Sequence, residues 1–307
     1  MALLTEEALI ICTYNRPERL LETLRAIGRC VDLPEYVVIS EGVTAEIEPV
    51  NMDRIKEALG RPEVSLHHVT PMPHLSRQRN KAVALIADRT RLIHFLDDDA
   101  VPSAAYFSGI SEHMRRHEEC VAAGGLILPM GRSPARMGSA ERLFLLNSKK
   151  PGRWLRSGFT SEGQARQDLT RKSYTRVEWL SGCSLSTRTR CAIAHPFDEA
   201  LKKGVCVDND LDYCIQIGTE GELHTLSAVT VTHYRDDANR DNYDRLELLV
   251  RHRYYILQKH RPGLISSLCY SWAVIGKMLA FLRRDFRGFV SVWRGYRARN
   301  KNDGDDV

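Results

Sequence analysis

The chain has 307 residues, 43% hydrophobic and 27% charged, an ordinary globular composition sufficient for one large domain or one and a half. Eight scattered cysteines with no Cys-x-x-Cys pair argue against a disulfide framework and, with no paired His spacing read from the sequence, against a zinc site. The net charge of +5 is uneven: residues 245–307 hold 13 Lys and Arg against 5 Asp and Glu, a net +8, and the remainder is −3. A basic tail on a mildly acidic body points to an anionic surface, either lipid headgroups or nucleic acid.

In chain order, Met1 to Ile11 carries Glu6 and Glu7 and has no basic stretch, so it does not read as a secretory signal. Ala8 to Cys12 reads as a buried first strand. Pro17 suits the first turn of a helix whose apolar face is Leu20, Leu21, Leu24 and Ile27. Tyr36 to Ile39 is a second strand, Ile55 to Leu59 lies in a short helix, and Val64 to Val69 alternates as a third strand. Ser76 to Ala87 is helical and Leu92 to Leu96 is again a strand. This alternation predicts a parallel α/β unit. Tyr106 to His117 reads as helix and Val121 to Leu128 as strand. Residues 130–176 lack periodicity and read as a long loop, a candidate lid. Glu178 to Ser186 reads as strand, Asp208 to Ile217 as helix, and Ala228 to His233 as a closing strand. The rest is helical and basic, and no internal repeat is visible.

Asp97, Asp98 and Asp99 stand at the exit of the apolar run Leu92 to Leu96. Three carboxylates there repel one another and are costly to bury. A divalent cation relieves both problems, because hard cations take oxygen ligands and are often shared with phosphates. The exit of a strand in an open α/β sheet is also where ligands bind.

Six stretches carry a family resemblance, in order along the chain: Thr13-Tyr14-Asn15-Arg16-Pro17, Ser40-Glu41-Gly42, Ser76-Arg77-Gln78-Arg79-Asn80, Phe95-Leu96-Asp97-Asp98-Asp99, Trp179-Leu180-Ser181-Gly182-Cys183, and Asn209-Asp210-Leu211-Asp212. Over about residues 8 to 260 the chain resembles the family-2 inverting glycosyltransferases of the GT-A fold. The resemblance implies a Rossmann-like α/β fold with a mostly parallel central sheet flanked by helices. It implies residues 1–240 as the glycosyltransferase domain, with 1–100 the nucleotide-binding half and 101–240 the acceptor half, followed by a helical basic segment over 241–307. Thr13, Asn15 and Arg16 would then border the nucleotide. Glu41 would read a uracil-type ring edge or the ribose, and Arg79 would lie over base and diphosphate. Asp97 and Asp98 would face the nucleotide-sugar, while Asp99 would ligate Mn²⁺ or Mg²⁺ with His233 as an extra ligand. Asp210 would be the catalytic base, and Trp179 and Gly182 would lie on the acceptor side.

The chemistry is consistent with these types. Sugar transfer needs the charge growing on a departing diphosphate to be neutralised and an acceptor hydroxyl to lose its proton. Two features depart from the family pattern: Asn209 stands where Glu usually precedes the base, and Ser40-Glu41 stands where Asp-Asp is usual. Asp208 and Asp212 therefore stay open as alternatives to Asp210. At i, i+4 they share one helical face, with Asp210 on another, and Asp208 suits a helix N-cap. The run from Asp208 is not a calcium loop, since Tyr213 holds the Gly position and Thr219 the twelfth.

Leu264 to Leu282 is apolar for 19 residues yet contains Lys277 and Gly276. It fits a helix that lies on a bilayer, packs on the body, or spans. Arg283, Arg284, Arg287, Arg294, Arg297 and Arg299 favour the first. The resulting expectation is a UDP-sugar-dependent enzyme acting on a glycan or lipid-linked hydroxyl in surface polysaccharide synthesis. It would be peripheral on the cytoplasmic face of a membrane, with nucleic acid the weaker partner. The alternatives are a sugar-nucleotide nucleotidyltransferase, which normally shows a Gly-rich loop that Thr13 to Pro17 lacks, and a non-catalytic nucleotide-sugar-binding protein.

Overall fold

The computed structural model describes residues 3–128, 139–147, 153–159, 173–201, 208–234, 242–282 and 285–300. Its first half follows the alternation seen in the sequence. Strand β1 (Leu3–Tyr14) is central, and its segment Ala8 to Ile11 is fully buried. Leu9 and Ile11 enter one apolar cluster and Ala8 and Ile10 the other, as a strand covered on both faces requires. Helix α1 (Pro17–Ile27) starts with its proline in the first turn and buries Leu20, Leu21, Leu24 and Ile27. Strand β2 (Leu33–Gly42) pairs parallel with β1. Helix α2 (Met52–Leu59) is capped by Asn51, whose side chain accepts the Asp53 N–H at 2.7 Å, and it stops at Gly60 with φ 61°. Strand β3 (Ser65–Val69) adds parallel to β2. Helix α3 (Leu75–Ile86) is capped by His74, and β4 (Leu92–Asp97) returns parallel to β1 on its other side.

Parallel pairing brings the carboxyl ends of these strands to one edge. Thr13 lies opposite Glu41, and Cys12 opposite Asp97. Three stretches far apart in sequence therefore meet for a topological reason.

The second half is mixed. It comprises β5 (Ala100–Pro102), α4 (Tyr106–Arg116), β6 (Cys120–Leu128), α5 (Ser139–Leu143), β7 (Tyr174–Val177), β8 (Leu185–Arg188), α6 (Thr189–Ala194), α7 (Asn209–Ile217) and β9 (Glu222–His233). The sheet runs β3-β2-β1-β4-β8-β6-β9-β5, with β7 also on β9. Strand β8 is antiparallel to β4 and to β6, and β9 is parallel to β6 but antiparallel to β5 and β7.

The strand expected over Glu178 to Ser186 is corrected: strand pairing begins only at Leu185, and Gly182–Ser184 forms a 3₁₀ turn. The turn lets the Ser184 hydroxyl accept the Gly125 N–H at 2.9 Å while standing 3.0 Å from the Tyr106 hydroxyl. Strand β5 and helix α6 are short elements with no sequence period, and neither was expected. Most of the lid expected over 130–176 lies outside the described residues.

Helices α8 (Asn242–His260), α9 (Leu264–Leu282) and α10 (Phe286–Arg297) form the basic extension. Their apolar cluster takes in Val250, Leu257, Tyr270 and Val292 together with Leu211 of α7 and Trp154. Ion pairs fasten α7 to α8: Asp208 to Arg253 at 2.5 and 2.8 Å, and Asp212 to Lys259 at 2.9 Å and His260 at 2.7 Å.

Candidate active site

The acidic triplet lies at the shared strand edge, and its three carboxylates have different environments. Asp98 is buried and accepts hydrogen bonds from the Thr13 hydroxyl at 2.7 Å and Arg16 Nη1 at 2.9 Å, while Thr23 donates to its backbone oxygen at 2.6 Å. Burial raises its carboxyl to about 6, with Asp99 and Asp97 adding to the rise and Thr13 and Arg16 opposing it. Asp99 is also buried. Its Oδ1 stands 2.9 Å from His233 Nε2, and its Oδ2 accepts from Arg16 at 3.3 Å. Burial alone would raise Asp99, but the hydrogen bond and charge of His233 and then of Arg16 outweigh it and hold the carboxyl below its ordinary 3.8. Burial disfavours the His233 imidazolium, yet its contacts with Asp99 and Cys183 raise the ring to about 10. Asp97 is the open member, its side chain 34% exposed, with Oδ2 4.0 Å from His233.

Asp97, Cys183 and His233 bring one ligand atom each within 4.8 Å of one another. With Asp99 against the same imidazole, the set offers two carboxylates and a histidine, donors that suit Mn²⁺ or Mg²⁺, and one softer thiol. The donor chemistry therefore fits a divalent cation. Cys183 is the member the sequence did not mark. It sits inside the Trp179 to Cys183 stretch, but only the fold of β9 brings it to His233.

Arg79 links the acids to the other side of the site. Its side chain is 3% exposed, with Nη2 3.4 Å from Asp97 Oδ1 and 3.5 Å from the Gly182 carbonyl, and Nη1 3.5 Å from Asn209 Oδ1. The guanidinium also lies over Phe197 at 5.0 Å and Phe95 at 5.7 Å. A Cβ at Gly182 would stand 2.6 Å from Arg79 Nη2, so the glycine lets the guanidinium lie this close to the turn. The Gly182 N–H in turn donates to Asp210 Oδ2 at 2.9 Å. Asp97, Arg79, Gly182, Asn209 and Asp210 thus form one connected group. Asn209 Nδ2 is buried there with no partner among the described residues, a donor left over for a ligand.

The three acids of α7 separate by face. Asp208 and Asp212 are both held by cations of α8. Asp208 occupies the N-cap position with φ 66°, but its side chain makes no capping bond, a correction of the capping role expected for it: Arg253 takes both carboxylate oxygens. Asp210 alone points to Gly182. Burial raises its carboxyl above the ordinary range, the charge of Asp208 adds to this, and the Gly182 N–H opposes it.

Two further expected residues, Glu41 and Asn15, stand at and beyond the carboxyl ends of β2 and β1, with Gln78 of α3 between those strands. Glu41 is buried, with Oε2 accepting the Val50 N–H at 2.9 Å and 2.9 Å from His68 Nε2. Gln78 ties the strand ends by donating to the carbonyls of Thr13 at 2.9 Å and Ser40 at 2.8 Å. Asn15 is exposed with φ 53° and, with Tyr14, Thr44, Ala45, Glu46 and Ile47, borders an open hollow of about 690 Å³. Residues 44–47 carried no sequence signal. Trp179 is partly buried, packed between two apolar clusters. A larger hollow of about 990 Å³ is lined by Trp154, Glu178, Arg142, Arg156, Arg261 and Ile265 among others, and by none of the expected site residues.

No family model and no curated protein sequence matches the chain. Solved structures do match in fold. The chain superposes on the crystal structure of GalNAc-T7 with UDP, GalNAc and Mn²⁺ with a TM-score of 0.56 at 14% identity, covering 94% of this chain and 58% of that one. It superposes on S. aureus TarS 1-349 with a TM-score of 0.51 at 13% identity, covering 95% and 91% of the two chains. A longer S. aureus TarS structure gives 0.51 at 14% identity, covering 95% and 55%. The fold is GT-A. The chain thus carries that architecture with a C-terminal helical extension, and it spans a little over half the length of the GalNAc-T7 chain.

Proposed function

We propose that the chain is a family-2 inverting glycosyltransferase that moves a sugar from a UDP-sugar donor to a hydroxyl of a glycan or lipid-linked acceptor in surface polysaccharide synthesis. The observation that carries this reading is the connected group from Asp97 through Arg79 and Gly182 to Asp210. It joins an acid-rich cation site to a separate half-buried carboxylate, the two kinds of group that the reaction needs. The GT-A fold supports it, as does the Mn²⁺ and UDP named for the GalNAc-T7 crystal structure.

In this reading Asp97, Asp99 and His233 hold Mn²⁺ or Mg²⁺. A bound cation supplies Lewis-acid neutralisation of the departing diphosphate. Thr13 and Arg16 hold Asp98 and Asp99 in place, while Asn15 and Glu41 border the nucleoside. Arg79 keeps Asp97 and Gly182 in register beneath the diphosphate. Asp210 takes the acceptor proton as the hydroxyl attacks, and its raised affinity for protons suits a general base. Attack on the face opposite the leaving group inverts the anomeric centre. Trp179 and Gly182 border the acceptor. Residues 1–240 carry this chemistry, with donor contacts in 1–100 and acceptor contacts in 101–240, and residues 241–307 carry the membrane contact.

That last assignment is supported by α9, which is long and apolar enough to cross a membrane. Its Tyr270, Ala273 and Val274 are buried, while Leu264, Leu268, Trp272, Ile275, Leu279 and Leu282 are exposed at spacings of three and four. Phe286 and Trp293 of α10 are exposed too, and Arg287, Arg294 and Arg297 lie on that helix. Arg283 and Arg284 lie outside the described residues. An exposed apolar stripe beside cations fits an anionic bilayer surface, here the cytoplasmic leaflet.

The test is turnover of a UDP-sugar panel with Mn²⁺, with the anomeric configuration of the product read by NMR. Asp210→Asn is expected to bind nucleotide as wild type and lose transfer. Asp99→Ala is expected to weaken nucleotide binding. Equal turnover in wild type and Asp210→Asn removes the base assignment, and a retained anomer removes inversion.

A further inference from the structure

At the amino end of β9, far from the acids, a second cluster of donors comes together. His113 of α4, Cys120 at the start of β6 and His224 of β9 bring one ligand atom each within 4.8 Å of one another. Cys120 and His224 are fully buried, and His113 is half-buried. We propose that these three side chains form a structural Zn²⁺ site, one that is independent of the transferase reading.

Four observations carry it. Two imidazole nitrogens and a thiol are the donor types zinc takes in closed sites, and a poor set for Mg²⁺. His113 Nε2 and His224 Nδ1 face each other at 2.8 Å, so the two nitrogens already converge on one point. The other ring nitrogen of His224 stands 3.0 Å from Glu222 Oε2, the carboxylate–histidine arrangement that orients a ligating ring. Glu222 is itself held by Arg176 and by its N–H to the Glu119 carbonyl at 2.8 Å.

The remaining groups around the cluster fit a fourth ligand and a cover. His117 lies one helical turn beyond His113, with ring centroids 4.4 Å apart, and its Nδ1 stands 3.0 Å from Glu119 Oε1. His117 Nε2 or a water would complete four-coordination. Tyr174 of β7 stacks on His224 at 4.4 Å and lies 4.9 Å from both other histidine rings.

Binding balances as follows. With His224 Nε2–H donating to Glu222, the hydrogen bond between the imidazoles carries the His113 proton on Nε2; Zn²⁺ replaces that bond, the His113 proton passes through solvent to Nδ1, and the Cys120 thiol releases its proton to solvent as the thiolate ligates. The result ties α4, β6 and β9 together at one end of the sheet. Four histidine and cysteine positions scattered over 113–224 carry this, against the expectation of no zinc site drawn from cysteine and histidine spacing. The His113–His117 spacing of four is the signal that could have found it.

The full chain is stripped with chelator and titrated with Co²⁺ and Zn²⁺. Wild type and Cys183→Ser should both show a sulfur-to-cobalt charge-transfer band, and Cys120→Ser should lose it. His113→Gln should lose the zinc-induced rise in Tm. Glu222→Gln, a rim substitution that leaves the buried ligands in place, should weaken Zn²⁺ binding about 10–100-fold in competition with a chromophoric chelator. The proposal is overturned if wild type shows no thiolate band, if Cys120→Ser keeps it, or if Glu222→Gln binds zinc as wild type does.

Discussion

Strand β9 carries different chemistry at its two ends. At His233 it meets Asp97 at the end of β4 and Asp99 just beyond it, with Arg16 from the β1 exit on Asp99 in turn, and nearly every group there is charged or held by a charge. At His224 it meets imidazoles, a thiol and a tyrosine ring, stacked edge and face within a tight cage. The first end collects its groups because parallel strands expose their carboxyl ends on one edge. The second collects its groups from a helix end and two strand starts. In the proposed reading the His233 end keeps charges poised against burial for the reaction, and the His224 end fastens elements together. Substitutions at the first should change turnover with the fold intact, and substitutions at the second should change stability with turnover intact.

The largest separation is expected from Asp210→Asn, which should lower transfer by about 10²–10⁴-fold while nucleotide binding holds, read by steady-state kinetics and calorimetry. Asp99→Ala should instead weaken nucleotide binding by about tenfold or more, because it removes one proposed oxygen ligand together with the carboxylate that stands 2.9 Å from His233. If both variants lose binding equally, the division of labour between the two acids fails.

Next comes Arg253→Ala. It strips Asp208, whose side chain is 11% exposed, of both its hydrogen bonds, and should cost about 3–5 kcal/mol in urea denaturation. A loss below about 1 kcal/mol would mean that the C-terminal helices are not fastened to α7 through this pair.

A smaller effect is expected at Asp198, between α6 and α8. Burial would raise its carboxyl, but Lys259, the Ala200 N–H and the Tyr255 hydroxyl outweigh it and hold the group below 3.8. A depressed carboxylate contributes stability above its unfolded value and loses it as pH falls through the folded value. Asp198→Asn should therefore cost about 1–3 kcal/mol near pH 7, and the gap from wild type should narrow below about pH 4. A gap that is constant with pH would remove the ion pair as its cause.

The smallest change in stability is expected from Leu268→Glu on the exposed face of α9, within about 0.5 kcal/mol. Flotation with anionic vesicles should nevertheless fall for this variant, and unchanged flotation would take the membrane contact away from this stripe.

Much of this was legible in the order of residues. Alternating apolar runs gave the strands up to Leu96 to within a few positions, Pro17 marked a helix start, and the acids after Leu96 marked a strand exit. Spacing alone put Asp208 and Asp212 on one face of α7 and Asp210 on another, and the structure gives the first two to α8. What periodicity could not see were elements too short to have a period, such as β5, α6 and the turn Gly182–Ser184.

The sequence by itself determined the local elements and which residue types stand at their ends, because periodicity and capping are read within a few residues. Only the tertiary structure decided the partners: Arg79 between Asp97 and Gly182, Cys183 beside His233, Arg253 on Asp208, and His113 against His224. Those pairings depend on strand order and helix docking, which bring together groups 18 to 111 positions apart, and no local pattern encodes contacts at that range.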